Sequence, residues 1–120
     1  MTEQQTLGQF GEDVACAFLE SKGYRILERN FKCRMGEVDV ISRTDEILSF
    51  AEVKLRKNTS FAEAREFVTR SKQKKLRLAA GLYLSAHPYP LQIRYDVIEV
   101  YAPEGAGGKA YVRLVADAFS

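Results

Sequence analysis

The sequence predicts an α/β fold, a central mixed sheet of five strands flanked by helices, in the order helix, three strands, helix, two strands. Apolar residues recur at helical spacing in two segments, one near the N-terminus and one from about residue 69. Five shorter runs alternate in polarity or are rich in Val, Ile, Phe and Tyr, the pattern of strands. No internal repeat or low-complexity tract interrupts them, so one sheet is expected to serve the whole chain.

The first helix is signalled by Thr6 and Gln9, spaced as a capping box, and by a stripe of Leu7, Phe10, Val14, Ala17 and Phe18, with Gly23 as its stop. Tyr24 to Phe31, Glu37 to Ser42 and Ile47 to Leu55 follow as strands, the last two joined closely enough for a hairpin. Ser60 and Glu63 suggest a second capping box, and a break is expected near Phe67 to Thr69. A long helix then passes through Leu76, Ala79, Ala80, Leu82 and Tyr83 until His87-Pro88 ends it. Leu91 to Tyr101 is the fourth strand, Pro103 to Lys109 a Gly-rich turn, and residues from about 110 to 116 a returning edge strand. The expected unit is a single domain over residues 1–120 with its core at about 7–101.

At 120 residues, with 46% hydrophobic residues, the chain is long enough to bury one core and too short for two. A net charge of +2 neither demands nor excludes a nucleic-acid partner. Cys16 and Cys33 have neither the number nor the spacing of a disulfide framework or a zinc site, and are expected as buried or half-buried thiols. The N-terminus has no basic region followed by an apolar run, and no stretch reaches the roughly 18 apolar residues of a membrane helix, so a reducing cytoplasm is expected and no membrane partner.

Strand alternation places chemistry on the second and third strands. Glu37, Asp39 and Ile41 are expected on one face of the second, with Val38 and Val40 on the other, while Glu52 and Lys54 share a face of the third against Ala51, Val53 and Leu55. A hairpin can then bring Asp39 beside Glu52. Carboxylates about 4 Å apart repel by roughly 4 kcal/mol at an effective dielectric near 20. Lys54 offsets only part of this, and a magnesium or manganese ion suits an oxygen site of Asp39, Glu52 and the Val53 carbonyl completed by water. The bland reading of the same charges is a solvated sheet face of weak ion pairs, against which stand the apolar residues packed around them.

Gly11-Glu12, the run Arg34-Met35-Gly36-Glu37-Val38-Asp39-Val40-Ile41, the run Phe50-Ala51-Glu52-Val53-Lys54, and Lys72-Gln73 ahead of Ala79-Ala80 together resemble the YraN-type family of small uncharacterised bacterial proteins. More broadly, a helix-borne Glu, then Asp, then Glu-x-Lys on paired strands resembles the PD-(D/E)xK nucleases, whose restriction-endonuclease-like fold is shared by archaeal Holliday junction resolvases. The resemblance spans about residues 7 to 101 and implies metal binding by Asp39 and Glu52, a catalytic Lys54, a supporting Glu12 and a weaker candidate in Gln73. Val38 stands where the superfamily's motif has Pro.

Periodicity alone leaves Glu12 open between a site and a solvent position, because it lies over Ala15, Cys16 and Leu19 and away from the main apolar stripe. Gln73 is equally open within Lys72-Gln73-Lys74-Lys75. Between residues 65 and 77, Arg65, Arg70, Lys72, Lys74, Lys75 and Arg77 stand against Glu66 alone, a local density that phosphate binding requires. Arg56 and Lys57 after Lys54, with Arg29, Lys32 and Arg34 before Asp39, would extend it, although for any one of these residues a solvated surface is an equal reading. His87 is expected as a turn or cap residue, and Gly105-Ala106-Gly107-Gly108-Lys109 lacks the spacing and following helix of a phosphate loop.

The expected function is a metal-dependent endonuclease acting on DNA, and fold analogy with junction resolvases points to branched or structured DNA and to a homodimer. The alternative is a catalytically silent nucleic-acid-binding module or adaptor on the same frame.

Overall fold

A computed structural model of the chain describes residues 2–56 and 68–119. Helix α1 (Glu3–Ser21) is followed by strands β1 (Arg25–Cys33), β2 (Gly36–Arg43) and β3 (Ile47–Arg56), then by helix α2 (Arg70–Ala86) and strands β4 (Gln92–Tyr101) and β5 (Tyr111–Phe119). The five strands form one sheet in sequential order. Neighbours pair antiparallel except β3 and β4, which run parallel, so the sheet is mixed as expected. The architecture is compatible with a restriction-endonuclease-like fold.

α1 starts one turn earlier than its sequence signal. Thr2, not Thr6, is the cap, and its side chain accepts from the Gln5 backbone N–H while the Gln5 side chain accepts from the Thr2 N–H. The Thr6 hydroxyl instead donates to the Thr2 carbonyl inside the first turn. The C-terminal end is a Schellman arrangement: the Tyr24 N–H donates to the Leu19 carbonyl and the Gly23 N–H to that of Glu20, with Gly23 at a φ of 89°. α2 begins where a hydroxyl cap is available, at Thr69, and ends at His87 before Pro88. The Ser60–Glu63 box lies outside the described residues.

Among the described residues the sheet carries one helix on each face. Val38, Ile41, Leu48 and Phe50 pack under Leu76, Ala79, Ala80 and Tyr83 of α2. Val40, Ala51, Ile98 and Val100 pack under Ala15, Cys16 and Leu19 of α1. Each fully buried Val, Leu, Ile or Phe among them stabilises by about 1.5–3 kcal/mol relative to exposure, so both layers hold the sheet. The α1 stripe expected at Leu7, Phe10, Val14 and Phe18 is only half-buried. The helix is rotated so that the small residues Gly11, Ala15 and Cys16 meet the strands, because a close approach needs small side chains. Leu55 would touch a Cβ at Gly11 at 3.2 Å.

β2 departs from simple alternation. Val38 faces α2 while Val40 faces α1, although two residues apart on a regular strand share a face. The break falls at Asp39. Across the β1–β2 ladder, Arg29 pairs with Val40 and Phe31 with Val38, which sets Asn30 opposite Asp39. Asn30 has a φ of 54°, a left-handed conformation that Asn tolerates better than other side chains except Gly. The expected grouping of Glu37, Asp39 and Ile41 against Val38 and Val40 is thereby corrected.

Candidate functional site

The β2–β3 ladder runs from Arg43↔Leu48 to Val40↔Ala51, and continuing it would pair Asp39 with Glu52. At that step a side chain replaces a ladder bond: the Asp39 carboxylate Oδ2 accepts from the Val53 backbone N–H at 2.8 Å. Because N–H and C=O of an extended residue point to the same neighbour, the Val53 carbonyl is turned toward β2 as well. Burial pushes the Asp39 carboxyl up to about 6, the Val53 N–H opposes the rise, and the charges of Glu52, Glu12 and Glu37 add to it. A carboxylate so held is poised to gain a cation.

Glu52 and Lys54 share a face of β3, as alternation predicts, and each side chain is 15% exposed. The Lys54 Nζ lies 3.2 Å from Glu52 Oε1, and the Lys72 Nζ approaches the same oxygen to 3.4 Å from the first turn of α2. Asp39 and Glu52 form the floor of a pocket of about 410 Å³. Lys32, Arg34 and Met35 of the β1–β2 hairpin form one rim, and Lys72 and Lys75 of α2 the other. The rims are clamped together at Gly36, where an added Cβ would stand 2.4 Å from the Lys75 carbonyl oxygen.

The remaining sequence candidates divide. Glu12 projects from α1 toward β1, where its Oε1 accepts from Asn30 Nδ2 at 2.8 Å and lies 3.6 Å from Arg29. It is therefore held by the residue opposite Asp39 and acts on Asp39 through its charge. Gln73 is half-buried and donates from Nε2 to the Val68 carbonyl, tying the entry of α2. Arg34, Lys72 and Lys75 line the pocket, whereas Arg70 and Lys74 are exposed away from it. Arg56 is drawn to Glu99 Oε2, 3.8 Å away, rather than toward the pocket. Lys57 lies outside the described residues.

Sequence reasoning missed two buried acids on β4. Glu99 is the register partner of Lys54 and accepts from Arg113 Nε at 2.7 Å. On the opposite face, Asp96 accepts from Ser49, from Arg94 and from the Asp117 backbone N–H. Asp and Glu within the apolar run Asp96-Val97-Ile98-Glu99-Val100 were the available signal, since a charge on a buried strand needs a partner. Cys16 is buried and Cys33 half-buried, as expected, and burial raises the Cys16 thiol pKa.

Among the described residues no three His, Cys, Asp or Glu side chains gather in a ligating arrangement. An ion in the pocket would therefore rest on two carboxylates, the Val53 carbonyl and water, a donor set that fits magnesium or manganese, which keep several waters when bound. No helix among the described residues is long and apolar enough to cross a membrane.

A profile of the uncharacterised protein family UPF0102 matches residues 11–100, a span that includes Glu12, Asp39, Glu52, Lys54, Lys72 and Gln73. The chain belongs to the UPF0102 family. It is 48% identical over 97 residues to a UPF0102 protein of Clostridium perfringens, covering 80% of each chain. A UPF0102 protein of Syntrophomonas wolfei is 40% identical over 115 residues, 94% of this chain and 96% of that one. One of Kineococcus radiotolerans is 42% identical over 115 residues, 94% of this chain and 93% of that one. The uncharacterised bacterial family expected from the motifs is thus the family found.

Proposed function

We propose that this UPF0102 protein is a divalent-metal-dependent nuclease that hydrolyses a phosphodiester bond in DNA, with branched or structured DNA as its substrate. The observation that carries the reading is the break in the β2–β3 ladder. It sets the half-buried Asp39 carboxylate against the Val53 backbone and beside Glu52, in a pocket with basic rims. Asp39, Glu52 and the Val53 carbonyl would hold the ion.

When bound, magnesium or manganese polarises a phosphoryl oxygen and acidifies a coordinated water. Lys54, held beside Glu52, orients the attacking water and stabilises negative charge as the new phosphorus–oxygen bond forms and the bond to the leaving oxygen breaks, the water's proton passing to solvent and the leaving oxygen taking one from solvent. Lys32, Arg34 and Lys75 hold the flanking phosphates, contacts that position a strand without reading its bases. Cutting both arms of a junction requires two such sites, which a homodimer would supply.

The test is incubation of the protein with labelled duplex, single-stranded, flap and four-way-junction DNA in manganese or in EDTA, beside Lys54→Ala. Manganese-dependent cutting that disappears in the variant is the expected result. Binding without cutting under every condition would sink the nuclease reading in favour of a silent binding module.

A further inference from the structure

We propose that Lys72 is a resident stand-in cation at Glu52, displaced by the divalent ion and thereby released to hold a phosphate of the bound strand. The inference rests on the nuclease reading and adds a coupling between metal and strand. Glu52 Oε1 receives two ammonium groups, and they are not equivalent. Lys54 lies two residues on along the same strand, 15% exposed and fixed by the sheet. Lys72 reaches across the pocket from α2 with a side chain 56% exposed.

The place of Lys72 is unfavourable by itself. It sits in the first turn of α2, where the backbone N–H groups leave partial positive charge and where no acidic residue stands. The Glu52 carboxylate, 3.4 Å from the ammonium, compensates. A divalent ion on Asp39 and Glu52 would bring the charge that Lys72 supplies, and the two cations would compete for one carboxylate. The lysine stem is long and flexible, so the freed ammonium swings to the rim, near Lys75 and opposite Lys32 and Arg34. Metal binding then creates a phosphate contact, and by reciprocity a bound strand favours the metal.

Calorimetric titration of manganese into the DNA-free protein tests the first half, with wild type, Lys72→Met and, as control, the exposed Lys74→Met. Removing the competitor is expected to tighten manganese binding about two- to fivefold in Lys72→Met alone, the range that an exposed ion pair sustains. The second half is read from duplex binding across a salt series, in EDTA and in calcium. Calcium should steepen the salt dependence of wild type by about one phosphate contact, and leave Lys72→Met unchanged. Unaltered or weaker manganese binding in Lys72→Met, or an equal calcium increment in both proteins, would overturn the proposal while leaving the nuclease reading in place. A wild type that binds no manganese refutes the nuclease reading itself, and the stand-in role with it.

Discussion

Replacing Asp39 with Asn should stabilise the metal-free protein at neutral and alkaline pH. Asn keeps an oxygen that can accept from the Val53 N–H and removes the charge that burial and the neighbouring carboxylates penalise. The carboxyl rises from 3.8 to about 6, a shift of about 2 units, which at about 1.4 kcal/mol per unit makes the ionised side chain cost about 3 kcal/mol of folding stability. The native state binds this proton more tightly than the unfolded chain does. Its contribution is therefore complete below the unfolded value, near pH 4, and is lost as pH climbs through about 6. Urea denaturation in EDTA from about pH 4 to about pH 8 should show Asp39→Asn matching wild type at the acid end and exceeding it by about 2–3 kcal/mol at the alkaline end. Manganese should then reverse the ranking, because only wild type gains from native-state binding. An alkaline-end variant no more stable than wild type, or a difference that does not change between pH 5 and 7, would refute the reasoning.

Gly36→Ala forces its methyl into the Lys75 backbone and should cost about 1–3 kcal/mol by urea denaturation, as overpacking does. Asn30→Ala loses both the tolerance of a positive φ and the hydrogen bond to Glu12, and should lower stability by about 1–2 kcal/mol in the same assay. Asp96→Ala leaves Arg94 and the Asp117 N–H without their buried acceptor, so it should destabilise by about 3–5 kcal/mol while the remaining folded protein still binds manganese in calorimetry.

The candidate site could be approached from the sequence because Glu52 and Lys54 obey the period of two on β3 and because the turn before Ile47 is short enough to fold β2 back onto it. The same rule failed on β2. Alternation assumes uninterrupted pleating, and the left-handed Asn30 breaks it from the neighbouring strand, where no pattern within β2 could announce it. Helical periodicity ranked bulky residues first, so it chose Phe10 and Phe18 over Ala15 and Cys16 as the buried face of α1. Packing distance decided otherwise. Lys72 could be read in the sequence only as one charge in a basic run, since its approach to Glu52 depends on where α2 crosses the sheet. Arg56 looked like part of a phosphate-binding surface because its buried partner, Glu99, lies on a strand more than forty residues away in the chain.

The parallel pairing of β3 with β4 also sets an order on assembly. Asp39 and Glu52 come from adjoining strands joined by a short turn, so a local hairpin suffices to bring them together. β3 meets β4 only by joining Ile47 to Gln92, a separation of 92 − 47 = 45 residues, and closing so long a loop costs chain entropy before its contacts repay it. The two acids can therefore become neighbours early, in a hairpin still open to water, and the nascent pair is free of the burial that later raises Asp39. The docking of α2, which brings Lys72, Lys75 and Leu76 over the hairpin, is then the step that closes the pocket around the acids.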